Sequence, residues 1–151
     1  MNVFILDKNI KRSAQMLDDA RLLAQINEGC QILMANYNHV HYPNAKIGHL
    51  NRPVTKFYSD AKPMEELLSY LSELFNEYLL RFGKEHQNFF WLIGFTEDMS
   101  YNTSNYFSSS KTFVKDHFTD DIEEIRNYIM TKPHVRKLKW TNAKKPSWWV
   151  E

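Results

Sequence analysis

One helical stretch of the sequence places charged and amide side chains in a single line. Residues 21–33 read RLLAQINEGCQIL, and Asp18, Arg21, Gln25 and Glu28 recur three or four positions apart. Side chains at that spacing lie on one face of a helix, so these four form a polar stripe. The surrounding positions are mostly apolar, which is typical of a buried helix. A buried carboxylate needs either a partner or a role in chemistry.

Two interpretations of the stripe are open at this point. In the structural one, Gln25 bridges Arg21 and Glu28 within a satisfied buried network. In the catalytic one, the surroundings of Glu28 tune it for proton transfer or for stabilising a cation. The residues alone favour the structural interpretation.

The second candidate surface is the C-terminal segment HVRKLKWTNAKKPSWWVE, in which cations and tryptophans are interleaved. Residues 126–150 hold seven Lys and Arg and no acid, whereas residues 1–125 hold twelve against seventeen acids. Cations neutralise phosphates and flat rings stack on bases, so the pattern is typical of nucleic-acid binding. Equally open is a core role for the tryptophans, with Trp140 inside, Trp148 or Trp149 nearer the surface, and lysines facing water.

The sequence also argues against several common kinds of site. One cysteine, Cys30, excludes an internal disulfide and a CxxC metal site, and its apolar neighbours indicate a buried structural thiol. His39 and His41 are the most tempting metal ligands, but no HExxH motif or cysteine cluster accompanies them. GxGxxG, P-loop and GxSxG motifs are absent. Without a signal peptide or an apolar stretch of about 20 residues, we expect a soluble, cytoplasmic protein.

The apolar periodicity predicts a mainly α fold. We expect a single compact domain over residues 1–151, built on two or three long helices with long irregular loops. Residues 2–6, NVFIL, indicate a buried extended segment. The first helix is expected to begin near Arg12 or Ser13, with Ser13 as a candidate N-cap, and to end near Asn36.

The rest of the chain contains one clear helix and several less defined regions. A polar loop, NYNHVHYPNAKIGHLNRP, leads to a leucine-rich helix that opens at Pro63 and closes at Gly83. A third helix is expected to be capped by Asp120 and Glu123 and to end at Pro133. Between these helices, NFFWLIGF fits either a strand or a short buried helix, and YNTSNYFSSS predicts a surface loop.

Four segments taken in order resemble one enzyme family. They are ARLLAQINEGCQIL, GHLNRPVTKFY, the helix ending YLLRFG, and KKPSWW near the C-terminus. Together they resemble the pyrimidine-dimer DNA glycosylases of the phage endonuclease V type, over most of residues 13–83 and again over 140–149. The resemblance implies an enzyme that excises a damaged or modified base from DNA. It implies a monomer that needs no metal and no small-molecule cofactor.

The resemblance places the family's catalytic residues on the polar stripe. Its catalytic glutamate falls on Glu28, and its helix histidine falls on Arg21. The family's arginines that flank the glutamate fall on Asn27 and Gln31. These are neutral amides, which cannot clamp a phosphate as a guanidinium does, so this chain departs from the family in how it meets the lesion.

The N-terminus is a second departure. The family's nucleophile is an N-terminal α-amine, which forms a Schiff base at C1′ and then eliminates the 3′ phosphate. The family enzyme exposes a small residue once its initiator Met is removed, but Asn2 is large, so we expect Met1 to be retained. The amine would be that of Met1 or Asn2, brought to Glu28 by NVFIL. Arg21 and Gln25 would orient Glu28 and the substrate.

Cations, a histidine and two tryptophans of the loop and tail are expected to hold DNA. They are His49, Arg52, Lys56, Arg136, Lys139, Lys144, Lys145, Trp148 and Trp149. A loop aromatic such as Tyr42 would fill the gap left by a displaced base. The rival interpretation is a non-catalytic nucleic-acid-binding protein on the same scaffold. A third is a small interaction protein with no nucleic-acid role.

Overall fold

The computed structural model describes residues 2–98, 101–132 and 137–150. Six helices and one two-stranded antiparallel sheet occur within these residues, and the predicted mainly α fold is confirmed. In chain order they are α1 Ile10–Met16, α2 Asp19–His41, α3 Pro53–Phe57, α4 Ala61–Phe82, α5 Phe89–Asp98, β1 Thr112–Val114, β2 His117–Thr119 and α6 Ile122–Thr131. None of the described helices has the length and hydropathy needed to cross a membrane.

The expected first helix is two helices. The Asn9 side chain caps α1, and the Asp18 side chain caps α2. Between them, Leu17 has extended backbone dihedrals, so the chain breaks where one helix ends and the next is capped. The prediction of one continuous helix was wrong because Asp18 accepts a backbone N–H at a helix start instead of lying within a helix. The second helix also runs past Asn36, to His41.

The prediction that Ser13 is an N-cap was wrong, because Ser13 is a buried residue within α1. Its hydroxyl accepts a hydrogen bond from the Leu6 N–H at 2.9 Å and lies 3.3 Å from the hydroxyl of Tyr70. Tyr70 in turn donates to the carbonyl of Phe4 at 2.7 Å. These bonds hold the N-terminal segment between α1 and α4. Residues 3–6 are all buried, so the prediction of a buried extended segment is confirmed.

Helix α4 is the central packing partner of α1 and α2. It begins two residues before Pro63 and ends at Phe82, where Gly83 adopts a left-handed conformation (φ 71°) that closes the helix as predicted. The approach of α4 to α2 is close at Gly29, because a Cβ there would lie 2.9 Å from the Leu71 side chain. A larger residue at Gly29 would require the buried Leu71 side chain to shift.

The region between α4 and α6 contains a helix and the two-stranded sheet as well as irregular segments. NFFWLIGF belongs to a helix, α5, rather than a strand. YNTSNYFSSS is irregular, as predicted, but its last serine, Ser110, is buried and bonded to α4. Helix α6 is capped by Asp121, not Asp120, because the Asp121 carboxylate accepts from the N–H groups of Glu123 and Glu124. Pro133 lies outside the described residues.

Candidate active site

The N-terminal segment meets the polar stripe of α2 at Glu28. The main-chain nitrogen of Asn2 donates to Oε2 of Glu28 at 3.2 Å. The amide nitrogen of Gln25 donates to that same oxygen and to the carbonyl of Asn2, both at 3.1 Å. The amide oxygen of Gln25 accepts from the Phe4 N–H at 2.8 Å. One buried glutamine, 2% exposed, therefore fixes the distance between the nitrogen of residue 2 and the carboxylate.

Glu28 itself is only half-buried. Within the described residues, its other oxygen, Oε1, accepts no hydrogen bond from the protein. One carboxylate oxygen is thus engaged by Asn2 and Gln25, while the second is left for a proton or a developing positive charge.

The side chain of Asn2 is turned away from Glu28, towards strand β1. Its amide nitrogen donates to the carbonyl of Phe113, and its amide oxygen accepts from the Phe113 N–H at 3.0 Å. Next to it, the buried Thr112 hydroxyl donates to the carbonyl of Val3 at 2.6 Å and accepts from the Ile5 N–H at 3.1 Å. Side chains thus replace backbone pairing in joining the N-terminal segment to β1. They leave the nitrogen of Asn2 directed at Glu28.

Strand β1 is anchored in turn by a buried carboxylate on α4. Glu66 is 0% exposed, and it accepts from the N–H groups of Ser108 at 2.7 Å and Ser110 at 2.8 Å, among other donors from these serines and Ser109. Burial alone would raise the pKa of Glu66, but the hydrogen bonds from Ser108 and Ser110 outweigh it and lower the pKa to about 2. The segment preceding β1 is therefore held by an ionised, fully bonded carboxylate. Sequence reasoning missed this residue because nothing local links Glu66 to the serines.

Arg21 belongs to a different part of the stripe. Its guanidinium lies 2.6 Å from the carboxylate of Asp18 and 3.4 Å from the carbonyl of Ile129, and it lies over the Trp149 ring at 5.7 Å. None of these contacts reaches Glu28. Arg21 is paired with Asp18, whereas Gln25 bonds Glu28 and the N-terminal segment, so the described contacts do not include the predicted bridge from Arg21 through Gln25 to Glu28.

A concave surface, here called the amide groove, begins on α2 at Asn27, the residue before Glu28. It has a volume of about 780 Å³, and it runs between α2, the loop after it, and the start of α5. Its polar lining consists mostly of neutral amides, Asn27, Gln31, Asn38 and Asn88. The amide nitrogen of Asn88 donates to the amide oxygen of Asn27 at 3.0 Å. Asn27 and Gln31, on which the resemblance places the family's arginines, therefore both lie in this groove.

Cys30 lies at the base of the amide groove as a buried thiol. Burial raises its pKa to about 11. A thiol with so little thiolate at neutral pH is a poor nucleophile, which agrees with the structural interpretation of this residue.

The residues predicted to hold DNA fall on two surfaces and in the core. His49, Arg52 and Lys56 are exposed in and after the loop that borders the amide groove. Of the tail cations, Lys139, Lys144 and Lys145 are exposed. Lys144 and Lys145 line a concavity of about 580 Å³ with Arg12 of α1. Met1 and Arg136 lie outside the described residues.

The tryptophans of the tail are mostly packed. Trp149 is only 7% exposed and contacts the rings of Trp140 and Trp148, so its assignment as a DNA contact is corrected: it is a core residue. Trp148 is half-buried, with the guanidinium of Arg126 over its ring at 4.7 Å. Trp140 donates its indole N–H to the carbonyl of Met16 at 3.0 Å. The tail contacts α1 and α6, although the cations interleaved with its tryptophans had also fitted an exposed, DNA-binding segment.

The C-terminal end of α2 carries His39 and His41. His41 packs on the ring of Tyr37 at 4.1 Å between centroids. No group of three or more His, Cys, Asp or Glu side chains among the described residues is placed to hold a metal ion.

Fold and site together define a helical protein in which a glutamate of a long helix meets the nitrogen of residue 2. The sequence model of one family, pyrimidine dimer DNA glycosylase, matches residues 1–90, and the chain belongs to this family. The matched span contains Asn2, Gln25 and Glu28 and most of the amide groove, but not the β1–β2 sheet, α6 or the tail. No curated protein and no solved structure matches the chain.

Proposed function

We propose that this protein is a DNA glycosylase that excises a damaged or modified base, with Glu28 and the amine of residue 2 as its reacting groups. Membership of the pyrimidine dimer DNA glycosylase family supports DNA as substrate and makes dimerised pyrimidines the first lesion to test. The observation that carries the proposal is the 3.2 Å contact between the Asn2 nitrogen and Glu28 Oε2. An amine nucleophile and a carboxylate must lie this close to act on one sugar carbon.

In the chain that begins with Met1, the nitrogen of Asn2 is a peptide amide. The proposed chemistry therefore requires removal of Met1, contrary to the expectation from the size of Asn2, because only then does this nitrogen become an amine. Its lone pair then forms a bond to C1′ of the sugar while the bond from C1′ to the base breaks. The bonding electrons leave with the base, which takes up a proton. Glu28 accepts the proton lost by the amine, and its negative charge stabilises the positive sugar in the transition state.

The covalent intermediate accounts for strand cleavage as well as base removal. When the ring oxygen of the sugar leaves C1′, it takes the proton that Glu28 accepted from the amine, so the amine and the sugar are joined as a Schiff base and Glu28 is a carboxylate again. Removal of a C2′ proton by Glu28 then expels the 3′ phosphate, and water releases the amine from the cleaved sugar. Sodium borohydride reduces the Schiff base to a stable covalent adduct, which makes the intermediate measurable.

Gln25 and Arg21 have separate parts in the proposal. Gln25 positions both reacting groups, since it bonds the Asn2 carbonyl and Glu28 Oε2. Arg21 does not touch Glu28 in its described contacts, so its proposed part is with the substrate, at the junction of α2, α6 and the tail. The exposed cations Arg52, Lys56 and Lys139 are proposed to contact the DNA backbone, together with His49, Lys144 and Lys145.

A chain that keeps Met1 would act differently at the same site. The Asn2 nitrogen would then be an amide with no nucleophilic lone pair, and Glu28 would activate a water molecule instead. The product would be an abasic site without strand cleavage. Intact-mass measurement of the purified protein distinguishes the two forms.

The proposal is tested on a panel of labelled duplexes that are intact, ultraviolet-irradiated, abasic, or carry modified pyrimidines. Each is incubated with the wild type, with Glu28→Gln, and with Glu73→Gln, which changes another half-buried carboxylate, on α4. We expect a borohydride-trapped adduct on a lesion duplex with the wild type and Glu73→Gln, and its loss in Glu28→Gln. Alkali-labile sites without an adduct would indicate the water mechanism. If every reaction is blank, the proposal is wrong, and duplex binding then separates a non-catalytic nucleic-acid-binding protein from one with no nucleic-acid role.

A further inference from the structure

Helix α5 exposes large apolar rings that the proposed chemistry does not use. Phe90 is 80% exposed and Trp91 is 50% exposed, although they are consecutive in the first turn of the helix. The opposite face of α5 is buried through Leu92 and Phe95. A surface helix ordinarily turns polar residues to water, so a helix that is apolar on both faces indicates a binding surface.

Trp91 stands as a ridge between two concave surfaces. On one side it lines the amide groove. On the other side it lines, with Phe90 and Gly94, an apolar concavity of about 320 Å³. A Cβ added at Gly94 would meet nothing within 4 Å, so this side of the ridge is open.

The chemistry around the ridge fits a nucleobase better than a phosphate. Among the described residues that line the amide groove, Lys46 is the one ammonium and no carboxylate is present. Neutral amides such as Asn88 both donate and accept, which is what the edge of a base requires, and an aromatic face stacks on any base. The groove also continues to Asn27 and Gln31, which flank Glu28 on α2. A base held on Trp91 would therefore lie in a groove that is lined by Asn27, the residue before Glu28 on α2.

We propose that α5 is a base-stacking element, in which the rings of Phe90 and Trp91 pack against a base that has left the stack of the bound DNA. The inference rests on the proposed function, because it requires DNA as the partner. The family match ends at residue 90, so Trp91 and the remainder of α5 are features of this chain beyond the matched span. At an abasic site the base on the opposite strand has no partner, so it leaves the stack at the lowest cost and is the base that the rings would meet.

The test compares Trp91→Ala, Phe90→Ala and Trp91→Phe with the wild type. The control is Tyr106→Ala, which removes an equally accessible ring, 64% exposed, from a loop that does not line either groove. The probes are a fluorescent duplex with one tetrahydrofuran abasic site and the same duplex intact, titrated over a range of salt concentrations. Circular dichroism and the urea midpoint verify that each variant folds as the wild type does.

We expect Trp91→Ala to weaken binding to the abasic duplex about ten-fold, with a smaller effect on the intact duplex. Trp91→Phe should recover most of the affinity, and Tyr106→Ala should bind as the wild type does. The dependence of affinity on salt should be unchanged, because stacking releases no counterions. Wild-type affinity in both Trp91→Ala and Phe90→Ala would overturn the inference and leave the proposed function intact. A wild type that binds neither duplex would overturn both.

Discussion

The main-chain nitrogen of Asn2 and Oε2 of Glu28 are joined by a hydrogen bond of 3.2 Å across 26 positions of sequence. Two sets of hydrogen bonds hold these atoms together. Gln25 binds both partners from α2, and the backbone of Phe113 binds the side chain of Asn2 from the other side. The main-chain nitrogen of residue 2 is thus held at the carboxylate, where the proposed amine catalysis would need it.

Gln25 should matter to both stability and activity. Gln25→Leu leaves the buried N–H of Phe4 without its acceptor, which should lower the free energy of unfolding by about 1–3 kcal/mol. Excision should fall by about ten-fold or more, because Asn2 and Glu28 lose their shared partner. Urea unfolding and single-turnover excision measure the two effects.

The matched variant is Gln25→Glu, which keeps an acceptor for Phe4 but sets a second carboxylate beside Glu28. Repulsion between like charges should move the acidic limb of the activity profile to higher pH. Gln25 would not position the reacting groups if Gln25→Leu kept full activity and the pH profile of Gln25→Glu matched that of the wild type.

Glu66 should make the fold sensitive to acid. Its pKa is about 2 in the folded protein against an ordinary 4.5, so its stabilisation is complete above about pH 4.5 and is lost as the pH falls towards 2. The shift corresponds to about 3 kcal/mol at neutral pH. Glu66→Gln should therefore be less stable than the wild type at pH 7, and the difference should shrink between pH 5 and 3. Urea unfolding across this range measures it.

The control is Glu65→Gln, since the neighbouring carboxylate accepts only a longer bond, 3.4 Å, from the Asn102 N–H. It should change stability little at any pH. A constant difference between Glu66→Gln and the wild type from pH 7 to 3 would show that the ionised clamp on the serines is not the source of the stability.

Cys30 should be unreactive while the protein is folded. Burial raises its pKa to about 11, so at pH 8 its thiolate fraction is about 100-fold below that of a free cysteine. Alkylation by iodoacetamide should be slow in buffer and rapid in urea. Cys30→Ala should retain excision. Rapid labelling of the folded protein, or an inactive Cys30→Ala that still folds, would indicate a chemical part for the thiol.

The tail cations should give DNA binding its dependence on salt. If Lys139 and Lys144 each contact one phosphate, Lys139→Gln and Lys144→Gln should each reduce the slope of log affinity against log salt by about 1. Lys62→Gln removes an exposed charge on α4 where no DNA contact is proposed, and its slope should match the wild type. If the salt slopes of Lys139→Gln and Lys144→Gln equal that of Lys62→Gln, these two tail lysines do not contact phosphates and the DNA binds elsewhere.

The parts of the fold that follow from sequence are those with local causes. Helix α4 is predictable because its apolar residues recur at helical spacing and Gly83 closes it. The stripe containing Gln25 and Glu28 is also predictable, because residues three positions apart lie on one face of a helix. The break at Leu17 is not, because Asp18 fits a continuing helix as well as a cap until packing sets the backbone before it.

Other features depend on partners that are distant in sequence. The bond between Asn2 and Phe113 joins residues 111 positions apart, and no local pattern marks either of them. Trp149 lies in a basic tail that looks solvated, yet it is buried because neighbouring aromatic rings pack against it. Such contacts are set by the tertiary fold, so composition and spacing cannot reveal them.

The identity of the nucleophile is measured most directly on the adduct trapped by borohydride from a lesion duplex. Nuclease and protease digestion followed by tandem mass spectrometry locates the residue that carries the sugar remnant. We predict the remnant on the α-nitrogen of Asn2, in a chain that lacks Met1, as the contact with Glu28 requires. A remnant on a lysine side chain, or on Met1 itself, would contradict the assignment of the Asn2 nitrogen as the nucleophile.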